Sequence, residues 1–72
     1  MSEFILVNFD ETREVIIDSI ASGFNAGDVI ELEAGTHTIT LIGPKNFTPE
    51  EHNINPSGTS PIQPSIINFS KV

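Results

Sequence analysis

The chain has 72 residues, no cysteine, and ten acidic side chains against three basic ones, which gives a net charge of −7. This length fits one small domain, residues 1–72, and the missing cysteines exclude disulfides and thiolate metal clusters. Nucleic acids and anionic membrane surfaces attract basic proteins, so the acidic balance argues against both partners. No apolar run approaches the ~20 residues that span a bilayer and the start has no cationic leader, so we expect a cytoplasmic protein without membrane insertion.

The first two segments of the chain differ in how clearly they can be assigned. Residues 4–9 form a short apolar run that ends among turn-forming residues, which predicts an opening strand. Residues 13–22 are ambiguous. A cap at Asp10 or Thr12 and a glycine at position 23 favour a helix, whereas three consecutive β-branched residues favour a strand followed by a loop. On these residues alone, the two assignments are equally supported.

Residues 28–41 consist of two alternating segments on either side of Gly35, which predicts a β-hairpin. A two-residue or four-residue loop places Leu32 opposite His37 and the apolar residues of both arms on one face. Gly35 then adopts a positive φ in the turn. The other face carries a polar stripe that is a candidate interaction surface for a basic strand or peptide. The residues of this stripe are Glu31, Glu33, Thr36, Thr38 and Thr40.

Turns dominate the remainder of the chain. Residues 43–49 turn repeatedly around Phe47 as an apolar anchor, and residues 52–55 are typical of one more short strand. The prolines of residues 56–64 predict an extended loop or an edge, and residues 66–69 predict a last strand. Short strands joined by closely spaced turns indicate an all-β fold. We expect a small antiparallel β-sandwich of about five to seven strands, with one helical turn at most.

The order of these segments resembles the PEGA domain family over residues 13–69. In that family a strand ending in Val-Asp-Gly precedes a loop, a hairpin with a Gly-x-His-x-Val arm follows, and an aromatic turn leads to a closing strand. Ser19 stands where the family has a glycine, and the Pro-Glu-Gly-Ala stretch is absent. The resemblance implies a strand over residues 14–18 and an accessory or interaction module without catalytic residues. The matching positions are Asp18, Ile30, Leu32, Gly35, His37, Ile39, Gly43 and Phe47.

Residues 26–36 also resemble the first coil of the parallel β-helices found in carbohydrate-processing enzymes. That alternative makes residues 13–22 a helix. A solenoid needs several stacked coils, and this chain has neither the length nor an internal repeat for them. The sandwich is therefore the favoured fold.

Two histidines and a few carboxylates are the candidate ligand-binding groups. His37 falls near the predicted turn on its core-facing side, so we interpret it as structural, together with Gly35 and Phe47. Glu50 and His52 are the local pair that could share a metal ion. No catalytic motif is recognisable. We therefore expect no enzymatic activity, no cofactor and no metal.

These observations favour a non-catalytic protein-interaction or assembly module whose partner is another protein or a second copy of the chain. The alternative is an accessory domain that binds a small ligand or a metal through His37, His52 and nearby carboxylates. For the interaction hypothesis, residues 4–9 are the candidate pairing edge because they contain no proline, whereas Pro56, Pro61 and Pro64 protect the last strand. Pairing at that edge predicts a concentration-dependent dimer.

Overall fold

The computed structural model describes residues 2–72, and this part of the chain contains strands and turns but no helix. It accordingly has no helix long and apolar enough to cross a membrane. The all-β prediction is confirmed, and the described residues form nine strands. The strands are β1 (Ser2–Asn8), β2 (Glu14–Ile17), β3 (Ile20–Asn25), β4 (Val29–Glu33), β5 (His37–Leu41), β6 (Phe47–Thr48), β7 (His52–Ile54), β8 (Ser65–Asn68) and β9 (Ser70–Lys71).

The strands form two main sheets and a small ribbon. The first sheet has the order β4-β1-β8, the second sheet has the order β3-β2-β5-β7, and β6 pairs with β9 in the ribbon. β1 pairs with β8 in parallel. All other pairs are antiparallel. The predicted small β-sandwich is therefore observed, with one parallel pair inside it.

The core follows from alternation along the strands. In β1, Ile5 and Val7 are fully buried, and in β4, Ile30 and Leu32 are buried while their neighbours are exposed. Because successive side chains of a strand point to opposite faces, each sheet presents one apolar face inward. The buried apolar residues of both sheets and the segments around them are Ile5, Val7, Val15, Ile30, Leu32, Ile39, Leu41, Phe47, Ile67 and Phe69.

The predicted hairpin between β4 and β5 is wrong. β4 pairs with β1, whereas β5 pairs with β2 and β7, so the chain crosses from the first sheet to the second between them. Leu32 lies opposite Glu3, and His37 lies opposite Ile54. Alternation specifies which side chains face the core but not which strand is the neighbour, and two facing sheets satisfy the same pattern. Gly35 has the predicted positive φ, at 126°, within the crossover.

The ambiguous segment is a strand, as the family resemblance implies. β2 ends at Ile17 and pairs with Ile20 of β3 across a two-residue turn. Both turn residues, Asp18 and Ser19, have positive φ, at 52° and 68°. The segment after Ser19, predicted as a loop, is the edge strand β3.

The predicted pairing edge at residues 4–9 is also wrong, because β1 is the central strand of the first sheet. Its two neighbours are β4 and β8. An apolar strand without proline is equally typical of a sheet centre, where both edges are paired. Because both sides of β1 are already paired, the predicted dimer cannot form through this strand.

Candidate interaction surface

The predicted polar stripe is divided between the two sheets. Glu31 and Glu33 are exposed residues of β4 in the first sheet, whereas Thr38 and Thr40 belong to β5 in the second sheet. Thr36 lies in the crossover between them. The single face expected from a hairpin is therefore wrong, because it required β4 and β5 to be neighbours.

The threonine hydroxyls of β5 are bound by other parts of the chain. The Thr38 hydroxyl donates to Asn53 Oδ1 of β7 at 2.8 Å. The Thr40 hydroxyl donates to the carbonyl of Glu50 at 2.7 Å. These contacts fasten β7 and the segment before it to β5, so the two threonines have a structural role in the second sheet.

An apolar row crosses the outer face of the first sheet. Leu6 of β1 lies opposite Val29 of β4 on one side and opposite Ile66 of β8 on the other. Val29 is 42% exposed and Ile66 is 50% exposed, whereas Leu6 between them is half-buried. Directly opposite residues in a sheet share a face, so the three side chains form a continuous strip.

The neighbouring rows on both sides of this strip contain polar side chains. In one direction, Phe4 lies opposite Glu31, which is exposed. In the other direction, the Asn8 amide donates to Asn68 Oδ1 at 3.0 Å. We call the surface formed by Phe4, Leu6, Val29, Glu31 and Ile66 the outer face; Glu33 continues it at the end of β4.

His37 joins three elements of the fold. Its Nδ1 lies 2.7 Å from the carboxylate of Asp18, in the β2–β3 turn, and its Nε2 lies 2.6 Å from the carbonyl of Glu33, at the end of β4. Both ring nitrogens thus face acceptors, which suits the protonated imidazolium. The hydrogen bond to Asp18, together with that to Glu33, raises the pKa of His37. His37 thus connects the β2–β3 turn, the end of β4 and the start of β5.

Asp18 has a matching electrostatic environment. Its Oδ1 accepts the backbone N–H of Thr38 at 2.9 Å, and its own N–H donates to the Thr38 carbonyl at 2.8 Å. The Thr38 N–H is the main cause, and His37 the second, of the lowered pKa of Asp18. The β2–β3 turn is therefore bound to the start of β5.

The other candidate ligands have partners within the chain. His52 Nε2 lies 2.7 Å from the carbonyl of Asn68, and its ring packs edge-on against Phe69 with centroids 4.9 Å apart. Across residues 2–72, no three side chains of the His, Asp or Glu type converge as metal ligands would. The predicted pair Glu50 and His52 is thus not supplemented by a third ligand in the described part of the chain.

An open cleft of about 320 Å³ lies at the end of β1 beside β9. Neither His37 nor His52 lines this cleft, so it does not bring together the two histidines of the alternative ligand-binding hypothesis. Its lining residues are Asn8, Phe9, Asp10, Phe69, Ser70 and Lys71.

Arg13 is a structural residue that the sequence analysis missed. Its guanidinium donates to the carbonyl of Pro44 at 2.9 Å and to Asn46 Oδ1 at 2.7 Å, and it forms an ion pair with Glu11. It also lies over the Phe47 ring, 5.9 Å from the centroid. The hydrogen bonds from Lys71 and then Arg13 lower the pKa of Glu11. Arg13 therefore holds the segment between β5 and β6, and only the tertiary structure reveals this.

Glu3 is the second such residue. It is buried, with 7% exposure, and its Oε1 accepts both the hydroxyl of Thr59 at 2.6 Å and the Thr59 N–H at 3.1 Å. The Thr59 hydroxyl in turn accepts the N–H of Phe4 at 2.7 Å. The Thr59 hydroxyl and then its N–H lower the pKa of Glu3. The proline-containing loop is thereby fixed to β1.

The fold and this surface together define a small β-sandwich with an apolar, acid-bordered outer face. Comparison with protein-family models, curated proteins and solved structures finds no significant match to the chain.

Proposed function

We propose that this chain is a non-catalytic protein-interaction module that binds its partner on the outer face of the first sheet. The observation that carries the proposal is the row of Val29, Leu6 and Ile66, which exposes contiguous apolar surface on a regular sheet. Contiguous apolar surface bordered by polar groups is typical of protein interaction sites. Glu31 at its border and the net charge of −7 favour a basic partner.

The proposal keeps the resemblance to PEGA domains. Asp18 and His37, two polar positions that carry the resemblance, contact each other and connect the β2–β3 turn to β5. This contact supports the resemblance because a single interaction explains why Asp18 and His37 occur together in the sequence. An interaction module is the function that the resemblance implies.

The test compares capture of partner proteins by the intact chain and by two double variants. Val29→Thr with Ile66→Thr removes apolar surface from the outer face, and both replacements keep β-branched side chains. Ile20→Thr with Ile62→Thr is the matched control, because these side chains are 69% and 92% exposed elsewhere. Circular dichroism first verifies that all three proteins are folded.

We expect the intact chain and the control to retain the same partner from native cell extract, and the outer-face variant to lose it. Light scattering across micromolar concentrations tests whether the partner is a second copy of the chain. It is a second copy if the mass rises with concentration for the intact chain and the control but not for the outer-face variant. Equal capture and equal mass for all three proteins contradict the proposal.

A further inference from the structure

The sheet edges of this fold differ in how far they are closed to another strand. The outermost strands of the two main sheets are β4 and β8 in the first and β3 and β7 in the second. An edge strand turns alternate backbone N–H and C=O groups outward, where an extended segment of another protein can pair with them. Proteins close such edges with proline, short strands or charged side chains. A side chain that forms a hydrogen bond with an outward backbone group has the same effect.

The edge of β3 is closed by side chains. Three consecutive backbone N–H groups of this strand and its end donate to side-chain oxygens, so those among them that point away from β2 are not available to another strand. The pairs are Gly23 with Glu14 (3.0 Å), Phe24 with Ser22 (3.1 Å) and Asn25 with Asp28 (2.8 Å).

The edges of β8 and β7 are limited in other ways. Pro64 immediately precedes β8, and the carbonyl of Asn68 at its end accepts a hydrogen bond from His52. β7 has three residues, so it offers little length for pairing. The strands β6 and β9 are shorter still.

β4 is the open edge among these strands. It has five residues, no proline, and β1 as its only strand neighbour within the described chain. The carbonyl of Glu33 at its end accepts from His37. No side chain of residues 2–72 bonds the backbone from Val29 to Leu32. This part of the edge can therefore accept a further strand.

We propose that the β4 edge pairs with an extended, basic segment of another protein, which continues the first sheet. On the outer face, the partner places an apolar residue beside Val29, extending the row of Leu6 and Ile66. Two positions along, it places Lys or Arg beside Glu31, because opposite charges on directly facing residues stabilise a sheet. No ion pair of residues 2–72 uses Glu31.

The charges of β4 disfavour a second copy as the occupant. Antiparallel pairing of two β4 strands in full overlap, Val29 opposite Glu33, places Glu31 opposite its own equivalent. Like charges directly opposite each other destabilise a sheet, and each copy carries a net charge of −7. A basic partner removes both penalties.

This inference rests on the proposed function, and its test uses the full chain with synthetic peptides. The first peptide is extended, with valine and lysine alternating at its outer-facing positions. A second has glutamate for lysine. A third keeps lysine but carries N-methyl groups on the backbone positions that would pair. Fluorescence anisotropy gives the affinities, and amide hydrogen exchange locates the bound strand.

We expect the lysine peptide to bind and to protect the amides of β4. Glu31→Lys weakens this binding about three- to tenfold and gives the glutamate peptide the higher affinity. Glu51→Lys, the same charge change at an exposed residue before β7, leaves the affinity within about twofold. The N-methylated peptide loses binding.

Three results overturn the inference: protection located away from β4, equal weakening by Glu31→Lys and Glu51→Lys, or undiminished binding of the N-methylated peptide. The proposed function is judged separately, because capture that depends on Val29 and Ile66 stands without strand addition at β4.

Discussion

The His37 imidazole of β5 lies 2.7 Å from the Asp18 carboxylate of the β2–β3 turn, and its other nitrogen reaches the carbonyl of Glu33 in the opposite sheet. One side chain therefore bridges the point where the chain crosses between sheets. A neutral imidazole has one N–H and can donate to only one of these acceptors, whereas the imidazolium donates to both. Protonation of His37 is thus coupled to the geometry of the crossover.

This contact predicts a pH window for stability. The pKa of His37 is raised above its ordinary 6.5 and that of Asp18 is lowered below its ordinary 3.8. The contribution of His37 is fully present below pH 6.5 and is lost as the pH rises through its raised pKa. The contribution of Asp18 is present above pH 3.8 and is lost as the pH falls through its lowered pKa. Thermal melts should therefore show that the pair contributes most to the stability of the fold between pH 3.8 and pH 6.5.

Asp18→Asn tests the pairing directly. Asparagine tolerates the positive φ of this position, so the turn remains compatible with the variant. We expect the His37 pKa to fall and the stability loss above pH 6.5 to shrink, as followed by NMR titration of the ring. Asp28→Asn, an equal charge change at the next turn, leaves the His37 titration unaltered. An unaltered titration in Asp18→Asn would show that the contact does not set the protonation of His37.

Ser19 predicts a stabilising substitution. Its φ of 68° lies in the left-handed region, which is costly for residues with a Cβ and free for glycine. Ser19→Gly should raise the free energy of unfolding by about 0.5–1 kcal/mol, after the larger backbone entropy of glycine in the unfolded chain is subtracted. Ser19→Val should lower it, since a β-branched residue is least tolerated there. Urea unfolding measures both, and a Gly variant less stable than the parent contradicts the turn geometry.

Ile39 predicts the sensitivity of the core. It is fully buried in β5, whereas Ile62 is 92% exposed. Ile39→Val should cost about 0.5–1.5 kcal/mol, and the matched change Ile62→Val less than about 0.5 kcal/mol. Valine is chosen because a domain of this size is stable by only about 4–11 kcal/mol, so larger truncations risk unfolding it. Equal costs at the two positions would place Ile39 outside the core.

The contacts of Arg13 predict that its replacement by lysine lowers the stability of the fold. The planar guanidinium reaches Pro44, Asn46 and Glu11 at once, whereas an ammonium group lacks this fork of donors. Arg13→Lys should lower the free energy of unfolding by about 1–3 kcal/mol and speed amide exchange in residues 42–46. Lys45→Met removes a cation that lies 5.9 Å from the Phe47 ring centroid but no hydrogen bond of this segment, so it should leave that exchange within about twofold of the wild-type rate. Wild-type exchange rates in Arg13→Lys contradict the role assigned to the guanidinium.

Alternation in the sequence was sufficient to predict which β4 and β5 residues face the core. Ile30 and Ile39 are both buried, and Glu31 is exposed as expected. It could not predict that β4 pairs with β1, because a crossover and a hairpin bury the same alternate residues. The missing information was the competition between strands for neighbours, which depends on contacts distant in sequence.

Elements held by polar contacts were the hardest to predict. β3 lies at a sheet edge, and its Gly23 N–H is bound by Glu14, so hydrogen bonds rather than apolar burial mark it as a strand. The burial of Glu3 has no signal in the sequence, because its partner Thr59 is far away along the chain. The apolar row of the outer face also depends on contacts distant in sequence. Leu6, Val29 and Ile66 become neighbours only through the pairing register of β1 with β4 and β8.

The parallel pairing of β1 with β8 has a consequence for how the protein folds during synthesis. β1 is synthesised well before β8, because 60 positions separate Ile5 from its partner Ser65. The β2–β3 hairpin, closed by two residues, can form long before then. Non-local pairing slows folding, so the growing chain keeps one edge of an apolar strand unpaired until β8 has been synthesised.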